Sequence, residues 1–418
     1  MRALPVAAVA LVALAVLAAP GPATARAGWG PAFDVVRSTD ASTGRSSAVV
    51  AAPRGRFVVA WTSRRAGVQA RRIGPAGTGR VLTLDPRGAD DVRLWSSPTG
   101  ATVATWTRPG GALRLRSIGP DDRLGPATTI TRSGEGIVAI PRRDGSTTVA
   151  WIARTGPQAA LVQARRISAG GRPGPISVLT AAGDDARDLL GAPDIDDGAM
   201  LAWTTGGILY GRRVTPDGAP ARPTFQISGL GETVTAPRLT TDGTGGATAV
   251  WVQGAAPTTV QQVAIISDDK LSGLDQLSAP GVTAMAPSLA FRGLQGIVVW
   301  EERRQRGSVV VGIDADGRRT TLSRPGAPGL RPHAAIDAAG HGFVVWQRGR
   351  AVEVARFGPT GRPRRTTLAA GPARAGGPHV AVTAGGRALA VWVRATRAGS
   401  RLQAARSPQR LAKHGSAR

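Results

Sequence analysis

No cysteine occurs among the 418 residues, so no disulfide supports the fold and a lipidated N-terminal cysteine is excluded. Lysine is nearly absent as well. Lys270 and Lys413 are the two in the chain, and arginine supplies the rest of a formal net charge of +26. Aromatic residues make up 4%, with a single tyrosine, Tyr210. After the first 19 residues no run is apolar enough to cross a bilayer, which takes about 20 such residues. No segment has convincing helical periodicity, and no Ser-His-Asp arrangement, phosphate loop or zinc signature is visible.

What is present begins with a targeting pattern. Arg2 precedes an apolar run from Ala3 to Ala19, Pro20-Gly21 breaks it, and Ala25-Arg26-Ala27 offers a cleavage site. Residues 1–27 are therefore expected to be a signal peptide and the mature chain to be secreted, either free or associated with the cell wall. The segment 409–418 is basic, matches no repeat and is expected to be disordered. The region 28–408 reads as one unit, expected to act as a monomer.

A tryptophan recurs eight times through that unit: Trp61, Trp106, Trp151, Trp203, Trp251, Trp300, Trp346 and Trp392. The intervals are 45, 45, 52, 48, 49, 46 and 46 residues, a period typical of stacked repeats. Each tryptophan closes a run apolar on both faces, as in Gly296-Ile297-Val298-Val299-Trp300, which must therefore be covered on both faces. Packing between repeats is the expected role of these rings. Trp95 falls in an inner-strand segment, and Trp29 lies near the mature N-terminus, where exposure is expected.

Four short strands fit each repeat. The first is headed by proline in five units (Pro193, Pro237, Pro287, Pro332, Pro378), and the second carries the tryptophan. The third contains arginine doublets such as Arg71-Arg72, Arg165-Arg166 and Arg212-Arg213. Tight turns such as Thr215-Pro216-Asp217-Gly218 and Gly358-Pro359-Thr360-Gly361 lead to a short fourth strand. The last unit lacks its fourth strand, whereas Pro31 to Val36 forms a surplus strand ahead of the first. The surplus fills the deficit and closes a ring without open edges. The expectation is an all-β, single β-propeller of eight four-stranded blades, with seven as the alternative. The pattern resembles repeats of secreted bacterial β-propeller proteins, many of them uncharacterised, a resemblance that implies a fold and little about function.

Several residues are candidates for function. His333 and His379 follow the proline in consecutive repeats, and Asp194, Arg238 and Ser288 hold the matching place elsewhere. Together these five are expected to line the mouth of the central channel. The doublets Arg71, Arg72, Arg165, Arg166, Arg212 and Arg213 are candidates for binding an anionic polymer at the rim. Asp184, Asp185 and Asp188 belong to an acidic island that is a weak candidate for calcium, and no other cofactor is expected. Glu301 and Glu302 are adjacent, so they point to opposite faces and do not form a glycosidase pair. Sialidase and quinoprotein dehydrogenase motifs do not match in register, and Tyr210 sits at an ordinary repeat position.

The leading expectation is an exported, non-catalytic binding or scaffold module for an anionic cell-surface polymer, acidic glycan or protein partner. A glycan-acting hydrolase or lyase with its site over the channel is the alternative. Nothing specific indicates nucleic acid.

Overall fold

A computed structural model describes residues 28–408, apart from 38–45, 98–99, 231–232, 243, 267, 294, 306, 325–327, 358–362, 372 and 398. The expected signal peptide and basic tail, and the turn at 358–361, lie outside the described residues. The chain forms eight four-stranded antiparallel sheets in a ring, an all-β propeller of eight blades.

The inner strands are Ser47–Ala52, Asp91–Ser96, Glu135–Pro141, Arg187–Pro193, Val234–Thr241, Thr283–Arg292, Gly329–Ile336 and Arg374–Val382, defining blades 1 to 8. Seven blades run outward in chain order. In the eighth, the outermost strand is Phe33–Arg37, paired antiparallel with Gly399–Arg406 (Phe33 opposite Ala404, Arg37 opposite Arg401). The N-terminal strand thus completes the last blade. Ahead of it, the Gly30 amide donates to the Arg406 carbonyl, and Trp29 packs edge-on against Phe343 with ring centroids 6.2 Å apart. Trp29 is consequently half-buried against blade 7 rather than exposed.

All eight repeat tryptophans are at most 2% exposed, and they share one direction. Trp106 packs with Val58, Ala60, Leu82 and Leu84 of blade 1, and Trp300 packs with Val250, Val252 and Val260 of blade 5. Trp61 of blade 1 packs with Val391, Leu402 and Val35 of blade 8. Each ring therefore inserts into the preceding blade, and the eight apolar clusters are the eight blade interfaces. Alternation along the strand sends the residues on either side of the tryptophan toward the following blade, which is why these runs are apolar on both faces.

The prolines play a different part from the one expected. In blades 3 to 8 the inner strand carries a bulge, seen as a register shift between Leu330 and His333, or between Gly376 and His379. The first bulge residue has positive φ: Gly136, Asp188, Ala236, Ala286, Arg331 and Gly377. Pro237, Pro287, Pro332 and Pro378 are the second, where no ladder hydrogen bond needs their missing N–H. Pro193 instead ends its strand, opposite Ala199.

Trp251→Ala is expected to cost about 3–5 kcal/mol, as truncating a buried aromatic normally does. Urea denaturation monitored by fluorescence and circular dichroism measures this, and a loss below about 1 kcal/mol would contradict the interface role.

Candidate functional site

The arginine doublets are engaged in holding blades together. The first arginine of each pair lies on the tryptophan face and reaches back to the preceding blade's outermost strand. Arg71 donates to the Val35 carbonyl at 2.6 Å, Arg165 to Ile130 at 3.0 Å and Arg212 to Leu179 at 2.6 Å. Arg116 does the same in blade 2, donating to Leu84 at 3.0 Å. The second arginine points the other way, to a turn of the following blade. Arg72 pairs with Asp122 at 2.7 Å, Arg166 with Asp217 at 3.1 Å and with Asp144 at 2.6 Å, and Arg213 with Asp269 at 2.5 Å. Opposite side-chain directions at adjacent strand positions account for the doublet.

Arg213 also pairs with Asp194 at 2.5 Å, and both side chains are nearly buried. Asp194 is thus placed away from the other four channel candidates, capping the short 3-10 turn Ile195–Asp197. The ladder register explains the separation. Arg238, Ser288, His333 and His379 lie opposite the residue preceding the tryptophan: Val250, Val299, Val345 and Val391. The residue at that register in blade 4 is Leu190, opposite Ala202. In blade 2 it is Arg93, opposite Thr105.

The acidic island is dispersed. Asp184 accepts the Ala181 amide, Asp185 pairs with Arg187 at 2.7 Å, and Asp188 accepts from Thr204 Oγ1 at 3.2 Å. Among the described residues no three acidic, histidine or cysteine side chains converge to hold a metal. Glu302 is fully buried and accepts Trp300 Nε1 at 3.0 Å, Arg304 at 3.0 Å and Arg319.

The channel itself carries the concentration of reactive groups. A cavity of about 640 Å³ opens where the inner strands of blades 1, 2, 7 and 8 begin, and its wall includes Asp91, Arg93, Trp95, Arg331, His333 and His379. The two imidazoles meet edge to face, centroids 5.1 Å apart at 76°. His333 Nδ1 accepts the Val380 amide at 3.4 Å, which leaves its proton on Nε2 in the neutral form. Burial among protein atoms, then the neighbouring His379 and Arg238, pushes the His333 pKa down to about 3, and burial lowers that of His379. Each ring is solvent-accessible along the channel yet walled by protein on its other sides.

Arg238 is outside the wall of that cavity but near enough for its charge to act on His333. Burial lowers its pKa, repulsion from Arg93 lowers it further, and Asp188 acts in the opposite sense. A side chain that senses Arg93 of blade 2, Asp188 of blade 4 and His333 of blade 7 projects into the lumen. Arg93 is held by Asp91 at 3.0 Å, and the Ser46 hydroxyl donates to the other Asp91 oxygen at 2.7 Å. Ser288 is occupied in accepting the Ala334 amide. Arg93, Asp91 and Arg331 were not singled out from sequence. The inner strands of blades 1 and 2 lack the bulge that the other six carry, and Arg331 is the positive-φ residue of the blade 7 bulge.

No protein-family model matches the chain, and no curated protein sequence matches it. Among solved structures it is similar to the polysaccharide lyase Uly1, with a TM-score of 0.50 and 9% identity over 75% of this chain and 88% of that one. It is also similar to an ulvan lyase of a new polysaccharide lyase family, with a TM-score of 0.48 and 9% identity over 81% and 93%. The computationally designed Ika8 protein gives a TM-score of 0.49 and 12% identity over 87% and 96%. At these identities the likeness is one of fold.

Arg213→Ala would strand Asp194 in a nearly dry interface and leave Asp269 with Arg222 alone, and an equilibrium unfolding loss of about 3 kcal/mol is expected. Arg166→Ala, at a more exposed pair, is expected to cost less than about 1 kcal/mol. For His333 the depressed folded pKa means that the unfolded chain binds more protons below pH 6.5. Stability is therefore complete above about pH 6.5 and declines progressively as pH falls toward about 3. His333→Gln should flatten this acid limb in denaturant titrations, and an unchanged limb would refute the depressed pKa.

Proposed function

We propose that the protein is an exported glycan-acting enzyme of lyase or hydrolase type, with its site in the central channel and an acidic polysaccharide as substrate. The observation that carries this reading is the meeting of two neutral imidazoles with Arg93 and Arg331 in the wall of one open cavity, with Arg238 near enough for its charge to act on His333. Its propeller likeness to the polysaccharide lyase Uly1 is consistent with it.

The chemistry that fits best is elimination. The arginines take up the charge of a uronate carboxylate, which acidifies the proton on the adjacent carbon. One imidazole removes that proton, a carbon–carbon double bond forms, and the glycosidic carbon–oxygen bond breaks. The leaving oxygen takes a proton from the imidazolium so formed, directly or through water, and no water is consumed overall. With its Nδ1 lone pair held by the Val380 amide and its proton on Nε2, His333 is set to donate, and His379 is the candidate base. A bound carboxylate favours a protonated imidazole and opposes the lowering of the His379 pKa by burial, so the base is strengthened by the substrate.

Non-catalytic binding of the same acidic glycan is the second reading. It is favoured by the amide already held at His333 Nδ1, which leaves that ring a single nitrogen for proton transfer. The arginine doublets serve neither reading directly, because blade contacts occupy them.

Incubation with uronate polysaccharides, followed by ultraviolet absorbance of unsaturated products and by reducing-end formation, separates the two. Elimination predicts both signals. Hydrolysis gives reducing ends without the absorbance, and binding alone gives neither. His379→Gln is expected to lower kcat at least about 100-fold with little change in KM. Arg331→Gln should raise KM about tenfold, the equivalent of one charge-assisted hydrogen bond. Neither turnover nor saturable binding with any uronate polymer would overturn the proposal.

A further inference from the structure

The central channel has a second end, and its chemistry is different. Along the inner strands of blades 1, 2 and 8, the residues that follow those lining the first cavity line another of about 870 Å³. Its wall includes Arg54, Ser96, Ser97, Arg292, Thr383 and Arg387, and no carboxylate. The three arginines come from the hairpins joining the first and second strands of blades 1, 6 and 8. Among the described residues none of these guanidiniums is in a salt bridge. In the same set of hairpins Asp194 is engaged by Arg213 and Asp337 by the His341 amide and ring, and Asp196 and Asp197 are not part of the cavity wall.

Two local features show that this arrangement is built rather than incidental. The turn closed by the Arg56 amide on the Pro53 carbonyl has positive φ at both central residues, Arg54 (59°) and Gly55 (67°). That is the sign pattern of a type I′ turn, where asparagine or glycine is the ordinary first residue and arginine is strained. The second feature is at Gly55. A Cβ there would lie 2.9 Å from Arg387 Nη1, so the Arg387 guanidinium crosses from blade 8 onto the blade 1 turn. Guanidiniums with no carboxylate partner leave donors available to a bound anion.

We infer that this end of the channel is a second binding site, separate from the histidine cavity, that takes a compact oxyanion: sulfate or phosphate, either free or as an ester on a polymer. Guanidiniums contributed by three blades to one cavity wall can donate to a tetrahedral anion, and the side chains of Ser96 and Thr383 offer hydroxyl donors in the same wall.

Calorimetric titration of the mature protein with sulfate and with phosphate, at ionic strength held constant with chloride, tests the site. Saturable binding is expected, weakened at least tenfold in Arg292→Gln/Arg387→Gln and unchanged in Arg331→Gln at the other end. Arg54→Asn suits the turn and so preserves folding, and it should weaken binding about threefold to tenfold. Parallel titration with dextran sulfate and neutral dextran separates the sources: tight binding of free sulfate indicates the ion, and binding of the sulfated polymer alone indicates the ester. No saturable heat with any of these anions, equal affinity in the double variant, or equal competition by chloride would overturn the inference. Because the variants lie at the opposite end from His333 and His379, the outcome is independent of whether glycan turnover is found.

Discussion

Insertion of one tryptophan into the preceding blade is the contact on which the rest of this molecule depends. It occurs at all eight interfaces, with Trp61 reaching blade 8 across the ring closure. Because each second strand is covered by a blade on either side, a single blade has no stable core of its own. The ring must close for every interface to form, and the N-terminal strand Phe33–Arg37 supplies that closure without a disulfide.

Polar contacts follow the same geometry. On the third strand, adjacent arginines face opposite neighbours, one reaching the preceding blade's outer carbonyls and the other the following blade's turn aspartates. Arginine suits both tasks, since its planar fork donates to several oxygens at once and stays charged when largely buried. In blades 5 to 8 the residues at the first arginine's register are Val263, Ile313, Ala355 and Ala405, and those interfaces rely more on apolar packing. A large positive charge is thus partly a consequence of how half the ring is fastened.

With the blades fixed at their outer strands, the inner strands are free to vary. One register position holds Arg93, Arg238, Ser288, His333 and His379 in different blades and small or apolar residues in others. In blades 3 to 8 a bulge lies just before it and re-aims that stretch of strand. Chemical asymmetry within a symmetric ring gives the channel a histidine–arginine end and an arginine end, each drawing on blades far apart in sequence.

Sequence alone determined the architecture, because the tryptophan period, the continuous apolar runs and the unpaired terminal strands are local patterns with one economical solution. It also placed Arg238, Ser288, His333 and His379 at one register, since a proline marks that place in their repeats. Asp194 was separated from them because Pro193 ends its strand instead of occupying the bulge, and proline spacing carries no information about ladder register. Arg93 and Arg331 had no such marker. Whether an arginine faces solvent, a neighbouring blade or the lumen was decided by the tertiary structure alone. Side-chain direction depends on which strand pairs with which and where a bulge shifts the alternation, and those are long-range facts of the closed ring.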